Sequence, residues 1–274
     1  MKVAFVICGQ TSRKGFLSNP PDIDSLNSFK NGMFDNLCCD YDVYVVGDTV
    51  NVTTNFGSKL KGYVDVSDHV LEKREYYVYN EEQNTGPHKN DKHFQCNYGL
   101  FYKLHVAKKM IDESGEKYDC IVKLRQDMVL LDRHQDLIKD MLHNPDLQLM
   151  STYDWIHIGK PEIMFKYMSM YTAPEEYRYN SKKYGSFKST GILPYEDLMK
   201  RLQDPCLGDS PEVLLSVIFL EYCIENNLDI TKSLFITPCR FYRSGDPGWF
   251  HLPSFLKGWE NSVYTQLYHG RFKD

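Results

Sequence analysis

Arg125, Gln126 and Asp127 are the residues whose types and spacing most clearly suggest chemistry. They follow a mostly apolar run at 120–124, and a second apolar run begins directly behind them. A short β-branched run without glycine or proline predicts a strand buried on both faces, where an arginine and a carboxylate are costly unless paired. At the carboxyl end of a central strand, Asp127 could hold a divalent cation on a diphosphate, and Arg125 could hold the diphosphate directly. The alternative is an Arg–Asp pair that satisfies itself.

The composition is that of a soluble globular protein, with 42% hydrophobic and 25% charged residues in a chain of 274. The formal net charge is −5 and there is no basic tract, which makes nucleic acid an unexpected partner. Tyrosine is abundant, with 20 residues. Tyrosine-rich surfaces suit stacking on sugars or bases, although tyrosine is also a common core residue.

The cysteines and the apolar runs indicate a cellular compartment. Eight cysteines occur and none forms a CxxC pair, which argues against a zinc ribbon or a disulfide framework and for a reducing compartment. No run approaches the ~18 apolar residues of a membrane span. The six-residue apolar run near the start is shorter than the roughly 7–15 residues of a signal peptide. We therefore expect a cytoplasmic protein without an integral membrane segment.

The pattern of elements predicts an α/β fold with a mostly parallel, twisted sheet flanked by helices. The first strand runs into a polar loop containing glycine, as in nucleotide-binding units, but without a GxGxxG or Walker pattern. No internal repeat or linker is evident, so a single domain is expected over 1–274. The expected strands are 1–10, 41–48, 62–66, the run at 118–132, 147–152 and one or two within 228–246, and the expected helices are 24–38, 94–114, 134–143, one from Pro161 and one from Pro211.

Four segments, taken in order, resemble a group of small stand-alone glycosyltransferases of the GT-A type, found in bacterial capsule and lipopolysaccharide loci and in large DNA viruses. The segments are NYGLFYKLHVAKKMI, YDCIVKLRQDMVL, DWIHIGKPEIMFKYMSMY and SPEVLLSVIFLEYCIENN. The resemblance spans 1–240 in outline and is motif-like over 94–171. Its key YDxxxxxRxDM/L pattern stands where other GT-A enzymes carry Asp-x-Asp, with the first acid replaced by Arg125.

The resemblance implies a GT-A-like domain with a nucleotide-sugar-binding half at 1–132 and an acceptor-binding half at 133–274. In the donor half, the end of the first strand holds the GT-A position for the nucleotide, although a strand followed by a polar turn is common. Tyr98 and Lys103 could contact base or phosphate, although a helical tyrosine is more often a core residue. The implied donor-binding residues are Cys8, Gly9, Gln10, Arg13, Tyr98, Lys103, Arg125, Gln126 and Asp127.

In the acceptor half, the resemblance places Asp154 and Trp155 beside the acceptor pocket, where a tryptophan would be a sugar platform. The alternative is a buried tryptophan next to a surface acid. Asp209 and Glu212 flank a helix start, where GT-A enzymes often place a catalytic base, although acids are favoured there by the helix dipole in any protein. The expected catalytic residues are thus Glu212, Asp209 and Asp154. His251 and His269 are weaker candidates for a third metal ligand.

The function implied is transfer of a sugar from a nucleotide-diphosphate sugar to a hydroxyl of a glycan or glycoprotein acceptor. A UDP-sugar is the favoured donor and a GDP-sugar the second choice, and for a viral enzyme the compartment would be the host cytoplasm. Asp127 could bind Mn²⁺ or Mg²⁺ without a strict requirement for the ion, since Arg125 supplies charge at the same place. Two other interpretations stay open: a non-catalytic carbohydrate-binding protein on a degenerate GT-A fold, and a glycoside hydrolase, which needs two facing carboxylates.

Overall fold

The structure is a computed structural model that describes residues 1–9, 34, 37, 39–47, 56–66, 91–126, 128–129, 132–145, 148–152, 156–172, 218, 222–223, 225–228, 234–236, 241–243 and 246–248. These residues contain ten strands: β1 (Lys2–Gly9), β2 (Asp40–Gly47), β3 (Leu60–Asp65), β4 (Cys120–Arg125), β5 (Met128–Val129), β6 (Leu149–Thr152), β7 (Ile156–Gly159), β8 (Leu234–Ile236), β9 (Phe241–Arg243) and β10 (Asp246–Gly248). They also contain three α-helices: α1 (Asp91–Ser114), α2 (Asp132–Leu142) and α3 (Pro161–Met168).

The main sheet has seven strands in the order β3-β2-β1-β4-β7-β6-β8. All of them run in the same direction except β7, which is antiparallel to both β4 and β6. From β1 the chain moves outward to β2 and β3, then crosses back through α1 to β4 on the other side of β1. The strand order therefore reverses between β1 and β4, and in open α/β sheets ligands bind outside the carboxyl ends of strands at such a point.

Two apolar cores cover the two faces of the sheet. Successive side chains of a strand point to opposite faces, and β1 places Ala4, Val6 and Cys8 in one core and the residues between them in the other. The first core includes residues of α1 and α3, and the second includes residues of α2. Residues 3–8 of β1 are at most 1% exposed, as expected for a central strand covered on both sides. The expected α/β fold with a mostly parallel sheet is confirmed.

The run at 118–132 differs from its prediction as one continuous strand. β4 ends at Arg125, Gln126 lies in a turn, and β5 belongs to a second sheet of order β10-β9-β5. Arg125 and Gln126 therefore stand at a junction between two sheets rather than inside one apolar strand. The physical reason is that β5 pairs with β9, far away in the chain.

Three further elements bear on the sequence-based expectations. β7 was not predicted as a strand, because four residues are too few for a clear alternation of apolar and polar side chains. The expected helix at 24–38 falls mostly outside the described residues; of its two described positions, Phe34 has 3₁₀-helical geometry and Leu37 is not helical. The expected helix from Pro211 is helical at its described positions 218, 222, 223 and 225.

The division into two halves at residue 132 stays a prediction. Among the described residues, no helix is long and apolar enough to cross a membrane.

A polar network ties the amino ends of β1 and β2 to the turn before β4. The buried Asp42 accepts a hydrogen bond of 2.8 Å from the Tyr118 hydroxyl, and its carboxylate lies 3.0 Å from the Lys2 ammonium. The hydroxyls of Tyr118 and Tyr44 are 2.7 Å apart. Burial, followed by these hydrogen bonds, raises the pKa of Tyr118. The network occupies the edge of the sheet opposite the β1–β4 switch point, so its role is structural.

Replacing Tyr118 with phenylalanine should destabilise the fold without affecting ligands at the opposite edge. Loss of a hydrogen bond to a buried carboxylate should lower the free energy of unfolding by about 1.5–3 kcal/mol, and hence the melting temperature by roughly 3–10 °C. Thermal unfolding of Tyr118→Phe, Asp42→Asn and the double variant measures this. Because the two groups share one hydrogen bond, the double variant should lose less than the sum of the single losses; strict additivity would contradict the assignment.

Candidate functional site

The carboxyl ends of β1, β2 and β4 meet at one edge of the sheet. Gly9 is level with Gly47 across the β1–β2 pair, and Cys8 is level with Arg125 across the β1–β4 pair. The backbone N–H of Gln126 donates a hydrogen bond of 3.1 Å to the Cys8 carbonyl, which extends the pairing one residue beyond β4. This edge contains the switch point between β1 and β4, where a ligand of the fold is expected.

Two glycines make room for the Gln126 side chain at this edge. A Cβ atom on Gly47 would lie 1.9 Å from Oε1 of Gln126 and 2.8 Å from the Gly9 carbonyl oxygen. A Cβ on Gly9 would lie 3.2 Å from the backbone nitrogen of Gln126, and Gly9 has a φ of +146° that disfavours other residues. The Gln126 side chain therefore lies across the end of β1 and reaches the end of β2, fully buried.

Basic side chains surround the same strand ends. The Lys103 ammonium, carried by α1, donates a hydrogen bond of 3.3 Å to the Gly9 carbonyl. Burial raises the pKa of the Cys8 thiol to about 11, although the charges of Lys123 and Lys103 both act to lower it. Both lysines are thus close to Cys8, which stays a protonated thiol at neutral pH. Arg125, partly exposed, lies on the same face of β4 as Lys123 because residues two apart share a face.

Beneath this edge, a lysine and a histidine lie fully buried in the sheet. Lys123 of β4 is directly opposite His157 of β7, and both are 0% exposed. Burial, and then the charge of Lys123, holds the pKa of His157 well below its usual value of 6.5. The His157 ring packs edge-on against Tyr167 of α3, with ring centroids 5.4 Å apart. His157 is therefore a neutral imidazole at physiological pH.

The structure brings together five of the residues expected to bind the donor: Cys8, Gly9, Lys103, Arg125 and Gln126. Tyr98 lies in α1 by its backbone. The other expected residues fall outside the described part of the chain, and their roles stay predictions: Gln10, Arg13, Asp127, Asp154, Trp155, Asp209, Glu212, His251 and His269.

The sequence pointed less clearly to three residues of this region. Gly47 is recognisable only as the tip of the second strand, because its approach to Gln126 depends on two strands distant in the chain. Lys123 and His157 each interrupt a short apolar run. A single polar residue in such a run is the signal that could have marked them, since a buried charge is rare without a specific environment.

The described charged groups nearest to Gly9 and Cys8 are basic. Within the part of the chain that the structure describes, no group of three or more His, Cys, Asp or Glu side chains could hold a metal ion. The charges near Gly9 and Cys8 instead come from Lys103, Lys123 and Arg125. Lysine and arginine are the side chains that bind phosphate groups, lysine as a point charge and arginine as a planar fork of donors.

Comparison with known proteins gives remote likenesses. No protein-family model and no curated protein matches the sequence. A solved CMP:2-keto-3-deoxy-manno-octonic acid synthetase complexed with CTP is similar at 11% identity over 55% of this chain, with a TM-score of 0.29; the chain spans about half of that protein, 52% of its length. A cytidylyltransferase from Leptospira borgpetersenii serovar Hardjo-bovis (strain JB197) is similar at 15% identity over 84% of this chain and 99% of its own, with a TM-score of 0.33.

The room that Gly9 and Gly47 leave for the Gln126 side chain, here called the glycine cradle, predicts that Gly47→Ala lowers stability. The new methyl group meets backbone at Gly9 as well as Gln126, so we expect a loss of about 1–3 kcal/mol in the free energy of unfolding from overpacking. Gly62→Ala in β3 is the matched control, because its methyl group would meet the side chains of Met110 and Tyr44 but no backbone atom. Chemical denaturation of both variants measures the difference, and equal losses would argue against the cradle.

His157 predicts a loss of stability at mildly acidic pH. Its folded-state pKa is depressed, so its contribution is complete above the unfolded pKa of about 6.5 and is lost as pH falls below it, by up to about 1.4 kcal/mol per pH unit. His157→Gln should flatten the pH dependence between 6.5 and 5, even though its stability at pH 7 is lower. Urea denaturation across this range measures it, with His143→Gln, an exposed position after α2, as control. An unchanged slope would contradict the prediction.

Proposed function

We propose that this protein is a glycosyltransferase that binds a nucleotide-diphosphate sugar at the carboxyl edge of β1 and β4 and moves the sugar to a hydroxyl of a glycan or glycoprotein acceptor. The observation that carries the proposal is the convergence of Lys103 and Arg125 on the ends of these strands, at the switch point of the sheet. A UDP-sugar is the favoured donor on the resemblance to GT-A enzymes, with a GDP-sugar as second choice.

The chemistry of sugar transfer requires the features of this edge. When the acceptor hydroxyl attacks the anomeric carbon, the bond to the diphosphate breaks and negative charge develops on the leaving oxygen. Fixed positive groups aimed at that charge stabilise the transition state more than the ground state. Arg125 stays charged at any working pH, and Lys103 is held in place by its hydrogen bond to Gly9. These two side chains would bind the diphosphate and stabilise it as it leaves.

Deprotonation of the acceptor is assigned to the second half of the chain. If the reaction inverts the anomeric centre, a carboxylate must take the proton from the attacking hydroxyl. Glu212 is the first choice for this base, with Asp209 and Asp154 as the other candidates. Trp155 would provide an apolar platform for the acceptor sugar. These assignments follow from the resemblance and complete the proposed reaction.

A divalent cation enters the proposal only through Asp127. A single carboxylate, with diphosphate oxygens and waters, can hold Mn²⁺ or Mg²⁺, because these ions keep several waters when bound. The basic side chains at the edge supply positive charge without an ion. Cation dependence should therefore be weaker than in an enzyme with a complete Asp-x-Asp motif.

Nucleotide binding tests the proposal directly. UDP should raise the melting temperature, because a ligand that binds only the folded state stabilises it, and a shift with GDP alone would exclude the uridine donor. Lys103→Ala and Arg125→Ala should each weaken UDP binding about tenfold or more, as expected for loss of a charge-assisted hydrogen bond. The control is Lys109→Ala on the same helix, whose exposed ammonium is paired with Glu113. Equal effects of all three variants would contradict the site.

Removal of the metal by a chelator distinguishes the contribution of Arg125 from that of the ion. We expect Mn²⁺ to stimulate sugar transfer, part of the activity to survive EDTA, and Arg125→Ala to remove that surviving part. Asp127→Ala should abolish the Mn²⁺-stimulated turnover while leaving circular dichroism and melting temperature unchanged. Complete loss of activity in EDTA, restored by Mn²⁺ and unaffected by the arginine variant, would show that Asp127 and the metal act without Arg125.

A further inference from the structure

A segment from the far end of the chain meets the site beside Gln126. β5 begins two residues after Gln126 and pairs antiparallel with β9, with Met128 directly opposite Arg243 and Val129 opposite Tyr242. β9 then pairs antiparallel with β10. An arginine more than a hundred residues away in the sequence is thus placed level with the residue that follows the Arg125-Gln126-Asp127 triplet.

The path of the main sheet brings β9 to the correct edge. β8 is parallel to β6, and β6 has the same direction as β4 because both are antiparallel to β7. The last residue of β8, Ile236, therefore lies at the carboxyl edge, where β1 and β4 also end. The next described strand, β9, begins at Phe241, close behind β8 in the chain. Arg243 thus arrives at the edge occupied by Lys103 and Arg125.

The spacing between the two arginines is limited by the backbone. Directly opposite residues of an antiparallel pair have Cα atoms about 4.5–5.5 Å apart, and the three residues from Arg125 to Met128 span at most about 11 Å. The Cα atoms of Arg125 and Arg243 therefore lie within about 16 Å of each other. Two arginines at this backbone separation are close enough to bind one diphosphate.

We infer that Arg243 is a further donor-binding residue that contacts the diphosphate of the nucleotide-sugar. This inference rests on the proposed function and adds a residue to it. A nucleoside diphosphate carries more charge and more acceptor oxygens than a monophosphate, and arginine binds such groups through two parallel hydrogen bonds. Arg125 from β4 and Arg243 from β9 would hold the diphosphate between the two sheets.

A structural role for Arg243 makes a different prediction. Asp246 of β10 is directly opposite Arg243, and oppositely charged residues at such positions stabilise a strand pair. If Arg243 only pairs with Asp246, removal of either residue should weaken the hairpin to a similar extent. If Arg243 binds the diphosphate, removal of Asp246 should leave nucleotide affinity nearly unchanged.

The experiment compares UDP with UMP, and GDP with GMP, by calorimetry on wild-type protein and on Arg243→Ala, Arg243→Lys and Asp246→Asn. For the nucleotide that the wild type prefers, Arg243→Ala should reduce the preference for diphosphate over monophosphate about tenfold. Arg243→Lys should retain part of that preference, and Asp246→Asn should change it less than twofold. The ratio of the two affinities is the readout, because a general loss of folding weakens the binding of diphosphate and monophosphate together.

The outcomes separate this inference from the proposed function. An unchanged diphosphate preference in Arg243→Ala, or equal losses in Arg243→Ala and Asp246→Asn, would overturn the role of Arg243 and leave the proposed function standing. Absence of nucleotide binding by the wild-type protein would overturn both. If Arg243→Ala does not fold, Arg243→Lys takes its place. A partial loss of diphosphate preference at wild-type melting temperature supports the inference, whereas an unchanged preference, or an equal loss in Asp246→Asn, overturns it.

Discussion

β4 pairs with β1 in parallel along six residues, from Val3 opposite Cys120 to Cys8 opposite Arg125. This pairing determines the place of the other described groups. It brings Arg125 to the carboxyl edge, and it aligns Gln126 with Gly9 so that the glutamine side chain reaches Gly47. It also makes the strand order reverse at β1, because β2 and β3 lie on one side of that strand and β4 lies on the other. A shift of one residue would turn Arg125 toward the opposite face of the sheet.

The two edges of the sheet use polar groups in different ways. At the amino edge, Asp42 is paired with Lys2 and with Tyr118, so the network is closed among protein groups. At the carboxyl edge, Lys103, Lys123 and Arg125 lie near Cys8 and the strand ends. The neutral His157 lies beside Lys123. Under the proposed function, a diphosphate would add negative charge at this edge.

Local patterns predicted much of this structure. The helical spacing of apolar residues gave α1, and the β-branched runs gave β1, β2 and β4, because each signal lies within one segment. The division of the run at 118–132 could not be predicted, since it depends on pairing between β5 and β9. The approach of Gly47 to Gln126 likewise depends on three strands at once. In the candidate site, residue type and position identified Arg125, and the resemblance to GT-A enzymes identified Lys103, whereas the contacts of these residues required tertiary structure.

The pairing of β5 with β9 also affects how the protein folds. Contacts between residues this far apart in sequence form slowly, because a long loop must close before they contribute stability. During synthesis, the strands β1 to β4 leave the ribosome well before β8 and β9. These four strands can therefore pair before β8 and the second sheet have been synthesised. Such an intermediate would expose the end of β4 and the unpaired β5, a strand edge open to aggregation or to exchange between chains.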